Sequence, residues 1–324
     1  MIPASHPDLD DANGQPCARA SIRLKILKRV RMVLFCAPLL FAQTGFCVQP
    51  LAQANLLKIS DQPWVDVDIG RHHGVKCIVD VGSTEAGVLP TRYAQGSKYL
   101  RPAVVATANG VVKMPEVQID GIAIGGSRQT AVRFLLRDQS WFHEGDPMPC
   151  VLGMEFLSRY TVDLDGSRGW LRLYPRGTRL EDVFGGSLPD GARLAASIHG
   201  GSPIEMDAMV DDIRVKATID TGWGLVTPNQ SLLDALGIRP GDPRIVSQSV
   251  RSVLSDRPMT LQIVELRQVR IGGLVAEKVR ASIGESGMRV MRKERDPYLH
   301  IGWDLLRAHR FLLDMAHRDA ALIP

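Results

Sequence analysis

The chain has 324 residues, of which 45% are hydrophobic and 23% charged, and this is enough for two compact lobes with separate cores. The formal net charge of +4 comes mainly from residues 1–54, which hold six lysines and arginines against three acids. The other residues hold 33 basic and 32 acidic side chains, and this balance argues against nucleic acid as a partner.

The first predicted element is an export signal at residues 1–54. A basic run ends at Arg31, an apolar stretch follows at 32–42, and small residues stand two apart at Ala52 and Ala54. This order is typical of a segment that signal peptidase removes. The apolar run is short for a membrane span and the basic flank is long, so the segment is either cleaved or kept as an anchor. We therefore expect an exported protein, periplasmic or secreted, that meets a membrane only through this segment.

Beyond the leader, the sequence repeats itself. Val75–Ser83 reads Val-Lys-Cys-Ile-Val-Asp-Val-Gly-Ser, and Val215–Trp223 reads Val-Lys-Ala-Thr-Ile-Asp-Thr-Gly-Trp. Each segment is a short β-rich run that ends at an Asp-x-Gly turn, which makes Asp80 and Asp220 equivalent residues.

A second pair of matching segments lies downstream. Val151-Leu152-Gly153 and His300-Ile301-Gly302 each precede a short amphipathic sequence and an apolar strand that ends in Asp, at Asp165 and Asp314. The same two landmarks therefore recur in the same order in both halves of the chain.

Between these landmarks, alternation and turn residues predict strands. Asn109-Gly110 is a hairpin signal between two pairs of valines, residues 117–124 alternate like a half-buried hairpin, and 261–271 and 275–283 alternate across Gly272-Gly273. Helical signals are few and short, at residues 154–160, 230–236 and 304–309. The prediction is an all-β protein with one lobe at 55–178, a Gly- and Pro-rich linker at 179–189 and a second lobe at 190–324.

Asp-x-Gly after an apolar strand, followed some distance later by two apolar residues, Gly and a short helix, resembles the retropepsin-like aspartic proteases. The resemblance extends over residues 60–175 and 205–324. It implies two similar β-barrel lobes in one chain, with a pseudo-twofold active-site cleft between them. Because both halves are in one chain, as in pepsin-like enzymes, it also implies a monomer.

The resemblance implies that Asp80 and Asp220 form one catalytic dyad. Two adjacent carboxyls share one proton, so the ionised member can take a proton from water while the other polarises the scissile carbonyl. The supporting turn residues would be Gly82, Ser83, Thr221 and Gly222. Gly82 and Gly222 allow close backbone approach, and Ser83 is placed to hydrogen-bond Asp80.

Three residues depart from the family pattern. Val81 stands where the family has a hydroxyl that braces the two turns, while Thr221 keeps it. Trp223 replaces a small residue, and must point out of the turn, fill a pocket or narrow the cleft. His300 stands where the family has an apolar residue.

Two further features follow from the resemblance. A hairpin flap that covers the cleft would include Thr107, Asn109 and Gly110, although an ordinary surface hairpin explains them equally well. Cys77 and Cys150 would lie on neighbouring strands, either as a disulfide or as two buried thiols.

Other chemistry is not indicated. His72 and His73 have no third ligand at a recognisable spacing, so no metal is expected, and an exposed strand end explains them. Phosphate-loop, dinucleotide and Gly-x-Ser-x-Gly motifs are absent from the sequence, and no cofactor is expected.

Three functions remain open. The first is an aspartic endopeptidase that acts on peptide or protein substrates. The second is a catalytically impaired module that binds peptides in the cell envelope. The third is an interaction scaffold, which carboxyl groups more than about 6 Å apart would favour, since a shared proton needs close contact.

Overall fold

The computed structural model describes residues 48–83, 87–107, 110–137, 150–198, 204–250, 259–283 and 296–324. The chain is mostly β-strand, with four short α-helices in the described residues, and the predicted all-β, two-lobed fold is confirmed. Within these ranges, no helix has the length and apolarity needed to cross a membrane.

The first lobe is built on a nine-stranded sheet. The strands of this sheet and of a separate two-stranded hairpin are β2 Trp64–Ile69, β3 His72–Val79, β4 Gly87–Pro90, β5 Lys98–Tyr99, β6 Ala103–Thr107, β7 Gly110–Met114, β8 Glu116–Ile119, β9 Ile122–Ile124, β10 Ser127–Gln129, β11 Val132–Arg137 and β12 Cys150–Leu152. The sheet order is β10-β9-β2-β3-β12-β4-β11-β8-β5, and β6 pairs only with β7. A single 3-10 turn, Thr91–Tyr93, and helix α1, Met154–Leu157, complete the lobe.

The second lobe repeats this plan around an eight-stranded sheet. Its elements are β15 Ala196–Ser197, β16 Ile204–Val210, β17 Ile213–Ile219, β18 Thr227–Pro228, α3 Gln230–Ala235, β19 Val246–Val250, β20 Met259–Ile271, β21 Leu274–Ile283, β22 Tyr298–Ile301 and α4 Trp303–Leu306. The main order is β18-β22-β17-β16-β20-β19, with β15 on β16 and β21 on β20. The parallel pair β17–β22 corresponds to the parallel pair β3–β12 of the first lobe.

A third sheet joins the lobes. Its strands are β1 Ala52–Asn55, β13 Tyr160–Asp165, β14 Trp170–Pro175, β23 Arg310–Asp314 and β24 Asp319–Ile323, in the order β1-β14-β13-β23-β24. The central pair β13–β23 is antiparallel, and its register places Thr161 opposite Asp314 and Asp165 opposite Arg310. Thr161 is equivalent to Arg310 and Asp165 is equivalent to Asp314, so each of these two pairs becomes the other when the strands are interchanged. The register is therefore the one that a local two-fold axis produces.

The central strands of this sheet carry a buried ion pair between the lobes. Arg310, on β23, donates from Nε and Nη2 to the two carboxylate oxygens of Asp163, on β13, at 2.8 and 2.9 Å. The Asp163 side chain is completely buried. The ion pair of Arg310 and Asp163 therefore connects the two lobes at a position that is inaccessible to water.

The segment expected to be a simple linker contains a helix. Helix α2, Leu180–Phe184, begins after Arg179 and ends at Gly185, which has φ +89° and so takes the left-handed conformation that favours glycine. Leu180 and Val183 pack against Tyr174, Leu312 and Ala321 of the shared sheet. The Gly and Pro residues that suggested an open linker flank this short amphipathic turn.

Two local predictions are corrected by the strand pairing. Residues 117–124 alternate in burial as expected, but they do not form a hairpin: β8 pairs with β11 and β5, and β9 pairs with β10 and β2. The first and last helices also end earlier than predicted, at Leu157 and Leu306, and Tyr160, expected in the first helix, begins β13. By contrast, the hairpins at β6–β7 and β20–β21 are confirmed.

The first strand begins inside the segment assigned to the export signal. β1 pairs with β14 from Ala52 opposite Leu173 to Asn55 opposite Trp170, and Ala52 is buried. Arg172 also donates to Gln53 at 2.8 Å. A cut after Ala54 would remove most of this strand, so a mature protein that keeps β1 must be cut earlier.

A protein that starts at Val48 is therefore expected to be more stable than one that starts at Asn55. The shorter protein loses the β1 ladder and the Gln53–Arg172 bond, which together contribute about 2–4 kcal/mol if each of a few bonds contributes about 0.5–1.5 kcal/mol. Denaturant unfolding measures the difference, and a protein that starts at Leu51 serves as the control with β1 intact. Equal stability of the proteins that start at Val48 and Asn55 would show that β1 is dispensable.

Candidate active site

Two equivalent turns bring Asp80 and Asp220 to the same place between the lobes. Each aspartate directly follows a strand, β3 or β17, and its backbone N–H donates to the neighbouring parallel strand. Asp80 N donates to Leu152 O at 3.0 Å, and Asp220 N donates to Ile301 O at 2.9 Å. The parallel pairing thus fixes both aspartates at the ends of their strands, where each carboxyl lies close enough to alter the pKa of the other.

Backbone N–H groups donate to both carboxyls. Asp80 Oδ1 accepts from Gly82 N at 2.8 Å and from Ser83 N at 3.0 Å, while Asp220 Oδ1 accepts from Trp223 N at 3.0 Å. Ser83 therefore contacts Asp80 through its backbone N–H, whereas the sequence suggested its hydroxyl. These donors stabilise a negative charge on either carboxyl.

The two glycines of the turns lie against the opposite carboxyl. A Cβ added at Gly82 would lie 2.6 Å from the Asp220 Cβ, and a Cβ added at Gly222 would lie 2.5 Å from the Asp80 Cγ. Real Cβ atoms do not approach other atoms this closely, so each turn needs glycine for space. The close approach expected from sequence is thus made across the lobes.

The Gly222→Ala variant is expected to lower the rate of any reaction that uses both carboxyls by about 100-fold, because the added methyl group must displace Asp80 by up to about 1 Å. Steady-state kinetics at one pH measures the loss. Gly224→Ala is the matched control, since a Cβ added at Gly224 meets no atom within 4 Å. Equal activity of both variants would contradict the expected crowding.

Only one half of the brace between the turns is present. The Thr221 hydroxyl donates to Val79 O at 2.6 Å and accepts from Val81 N at 3.0 Å, so it connects the second turn to the first. Val81 is buried at the equivalent position but has no hydroxyl with which to return these bonds. The hydroxyl bonds of the brace are therefore made by Thr221 of the second turn and have no equivalent from Val81 of the first.

A glutamine that the sequence did not single out adds a second link between the lobes. Gln62 Nε2 donates to the carbonyl oxygen of Gly222 at 2.8 Å. Its Oε1 accepts from the Ser60 hydroxyl at 3.1 Å, and Ser60 in turn accepts from Trp64 Nε1 at 2.8 Å. Gln62 lies 160 residues from Gly222, in a loop before β2, and no motif marks it.

His300 is the other residue whose role was missed. Its Nε2 lies 2.9 Å from Asp220 Oδ2, and its Nδ1 lies 3.2 Å from the Thr218 hydroxyl. The side chain is buried on β22, beside the second carboxyl. The signal in the sequence was a polar residue at a position where the pattern expects an apolar one.

The two carboxyls have different acidities. Burial, together with the nearby charge of Asp220, raises the pKa of Asp80 well above its usual value. Burial acts in the same direction on Asp220, but the hydrogen bond and charge of His300, together with the hydrogen bonds of Asp80 and Trp223, lower the pKa of Asp220 overall. The pair therefore favours a proton on Asp80 and a negative charge on Asp220.

Trp223 lies along its own lobe. Its indole N–H donates to the Thr227 hydroxyl at 3.0 Å, which is also 2.6 Å from the Ser282 hydroxyl. Its backbone oxygen accepts from Trp303 N at 2.7 Å, at the start of α4. The sequence left open whether Trp223 points out of its turn, fills a pocket or narrows the cleft. The indole N–H bond to Thr227 on β18 shows that the side chain packs against its own lobe.

The hairpin β6–β7, predicted from the resemblance to be a flap, is partly described. Thr107 and Gly110 are paired at the ends of β6 and β7, whereas Asn109 lies outside the described residues. Upstream on β6, Val104 is 67% exposed. In the second lobe, Val246 at the start of β19 is 63% exposed, and residues 251–258 also lie outside the described residues.

Cys77 and Cys150 form a disulfide in the structure. They are register partners on β3 and β12, with their Cα atoms 4.2 Å apart. The bond joins the two strands that hold the Asp80 turn. The second lobe has Ala217 opposite Leu299 at the same place.

His72 and His73 lie at the start of β3, away from the dyad. His73 Nδ1 is 3.1 Å from Asp68 Oδ2, and the His72 ring contacts Tyr93 edge-on. In the described part of the chain, no group of three or more His, Cys, Asp or Glu side chains is arranged to hold a metal ion.

Comparison with known families identifies both halves of the chain. The sequence model of the family described as Aspartyl protease matches residues 65–156 and again residues 206–305, together more than half of the chain. The first match contains Asp80 and the second contains Asp220. No curated protein matches the chain significantly.

Proposed function

The chain belongs to the aspartyl protease family, and from this premise we propose that it is an endopeptidase in which Asp80 and Asp220 share one proton and activate one water molecule. The single observation that supports this most is the position of the two carboxyls at the ends of equivalent strands, each against the glycine of the opposite turn. Carboxyls this close do not ionise together easily, so one proton stays between them at working pH.

The different acidities of the carboxyls support a division of roles. Asp220, the more acidic, takes a proton from the water as the water oxygen attacks the carbonyl carbon of the peptide bond. Asp80, the less acidic, donates a hydrogen bond to the carbonyl oxygen as negative charge develops there. Breakdown of the tetrahedral intermediate then needs a proton on the leaving nitrogen, which the dyad returns.

The setting that we propose is an oxidising compartment outside the cytoplasm. The Cys77–Cys150 disulfide supports this, because structural disulfides persist in exported proteins. The substrate would be an extended peptide or a protein segment between the lobes. Since one chain supplies both carboxyls, the active species would be a monomer.

One observation favours an impaired, peptide-binding protein as the second candidate. Val81 removes half of the brace between the turns, so the carboxyls are held less firmly than two hydroxyls would hold them. In that case peptides bind but are not cleaved, and Val81→Thr with Trp223→Ala restores cleavage. The scaffold hypothesis is not favoured, because it expected separated carboxyls.

The test is digestion of a peptide library across a pH series by the wild type beside Asp220→Asn. Cleavage by the wild type that is strongest in acid and lost in the variant supports the proposal. Unchanged cleavage in the variant overturns it. Peptide binding without cleavage by the wild type supports the second candidate instead.

A further inference from the structure

The second carboxyl has a buried partner that the first does not. His300, 7% exposed, lies opposite Thr218, 3% exposed, in the parallel register of β22 and β17. Both ring nitrogens have a polar neighbour, with Asp220 Oδ2 at 2.9 Å from Nε2 and the Thr218 hydroxyl at 3.2 Å from Nδ1. The imidazole is thus held in one orientation, with Nε2 directed at the carboxyl.

The equivalent place in the first lobe is apolar. There the register pair on β3 and β12 is Ile78 opposite Val151, and neither side chain has a polar atom that could reach Asp80. Backbone N–H groups donate to both carboxyls, two at Asp80 and one at Asp220. The pair formed by Thr218 and His300 supplies Asp220 with a polar side-chain partner on these strands that Asp80 does not have.

The direction of the hydrogen bonds follows from the partners. An ionised Asp220 can only accept, so Nε2 carries a proton and donates to it. Nδ1 then accepts from the Thr218 hydroxyl when the ring is neutral, or donates to the same hydroxyl oxygen when the ring is charged. In both states the bond to Asp220 is kept, and it favours the carboxylate over the carboxylic acid.

We propose that His300, oriented by Thr218, is a positioning residue that confines the negative charge of the dyad to Asp220 and leaves the shared proton on Asp80. The proposal deepens the proposed function and rests on it for its catalytic meaning. An identical environment at both carboxyls would let the proton sit on either one. With His300 on one side, a bound peptide meets a dyad whose base and acid are already assigned.

Few other charged or titratable groups can influence this arrangement. Those on the elements packed against His300 are Asp80 and Asp220 of the dyad, Arg214 and Lys216 with their partner Asp207, Asp234 on α3, Tyr298, and Asp304 with its partner Arg307. On β18 the register partner of His300 is Thr227, whose hydroxyl is bonded to Trp223 and Ser282. Among these groups of the described residues, the carboxyl of Asp220 is the one that lies within hydrogen-bond distance of the imidazole.

The test compares His300→Val, which copies the residue of the first lobe, with His300→Gln, which keeps an uncharged donor. The pH profile of kcat/KM gives the acid limb, where the first carboxyl of the pair ionises. A charge-assisted hydrogen bond of usual strength moves this limb by about one to two pH units, so His300→Val should shift it upward by that amount. His300→Gln should shift it less. His309→Gln, which removes a histidine elsewhere, should leave it in place.

Carbon-13 NMR of labelled aspartates supplies a measurement that does not depend on turnover. In the wild type, Asp220 should titrate below Asp80, and in His300→Val the titration of Asp220 should move up toward that of Asp80. A purely structural role would lower stability or kcat/KM at every pH without moving either curve. If the valine variant does not fold, the glutamine variant carries the same comparison.

The outcomes separate the two proposals. A shift of the Asp220 titration in a protein that cleaves no peptide would refute the proposed function and leave the role of His300 in charge placement standing. Peptide cleavage by the wild type, with an acid limb and an Asp220 titration unmoved in His300→Val, would refute the role of His300 and leave the proposed function standing.

Discussion

Replacement of either Asp80 or Asp220 by asparagine is expected to lower kcat/KM for peptide cleavage by about 10²–10⁴. Asparagine keeps the size of the side chain, but it neither takes the proton of a water molecule nor shares a proton with its neighbour. Because the proposed reaction uses both carboxyls on one water molecule, each variant should lose the activity of the whole pair. Initial rates on one cleaved peptide, measured across pH, give the loss.

The double variant should lose little more than the worse of the two single variants, since residues that act as one unit are not additive. Asp234→Asn is the matched control: Asp234 lies on α3, where it accepts from Gln230 at 2.8 Å, and its replacement should leave the rate unchanged. Losses that multiply in the double variant would mean that the two aspartates act independently, against a shared proton.

The second large effect is expected at the interface of the lobes. Arg310→Met removes the cation from the completely buried Asp163 and should lower the free energy of unfolding by about 3–5 kcal/mol. The carboxylate then keeps the weaker charge effect of Arg172 but loses the cation that hydrogen-bonds it. Arg310 Nη2 also donates to Val183 O at 3.1 Å, so its loss also loosens α2. Denaturant unfolding measures the change.

Two comparisons identify the buried charge as the cause. Adding Asp163→Leu to Arg310→Met should restore much of the stability, because apolar side chains can replace a buried pair without leaving a charge. Arg214→Met removes the exposed partner of Asp207 and should change stability by no more than about 1 kcal/mol. A double variant as unstable as Arg310→Met would point to lost packing.

The pH dependence of the Arg310→Met variant has a definite sign. Burial already raises the pKa of Asp163 against the opposing effect of Arg310, and loss of the arginine raises it further. The folded variant then binds a proton that the unfolded chain releases, so its stability falls as the pH rises through the folded-state pKa. Its deficit relative to the wild type should therefore shrink in acid.

The parts of the fold that could be predicted are those that depend on the pattern of neighbouring residues in the sequence. Asp80 and Asp220 stand out because each follows an apolar strand at a turn that contains glycine, and the two turns occupy equivalent positions in the two lobes. The β20–β21 hairpin also follows from local alternation. Residues 117–124 show the limit, because alternation gives the burial of β8 and β9 but does not say which strands they pair with.

What could not be predicted depends on contacts between distant segments. Gln62 meets Gly222 only because the lobes face each other, and a glutamine in a loop has no pattern of its own. His300 was visible as a polar residue in an apolar place, but its direction depends on the register of β22 with β17. The helix in the expected linker was hidden by the glycines and prolines that flank it.

Because one chain contains both aspartates, the residues around Asp80 and those around Asp220 can change separately. In a symmetric pair of identical subunits, every substitution appears twice. A histidine beside one aspartate would then stand beside the other as well, and a valine would remove both hydroxyls of the brace. Here Val81 faces Thr221, and Val151 corresponds to His300. A single mutation can therefore alter the acid without altering the base, a freedom that a symmetric dimer does not have.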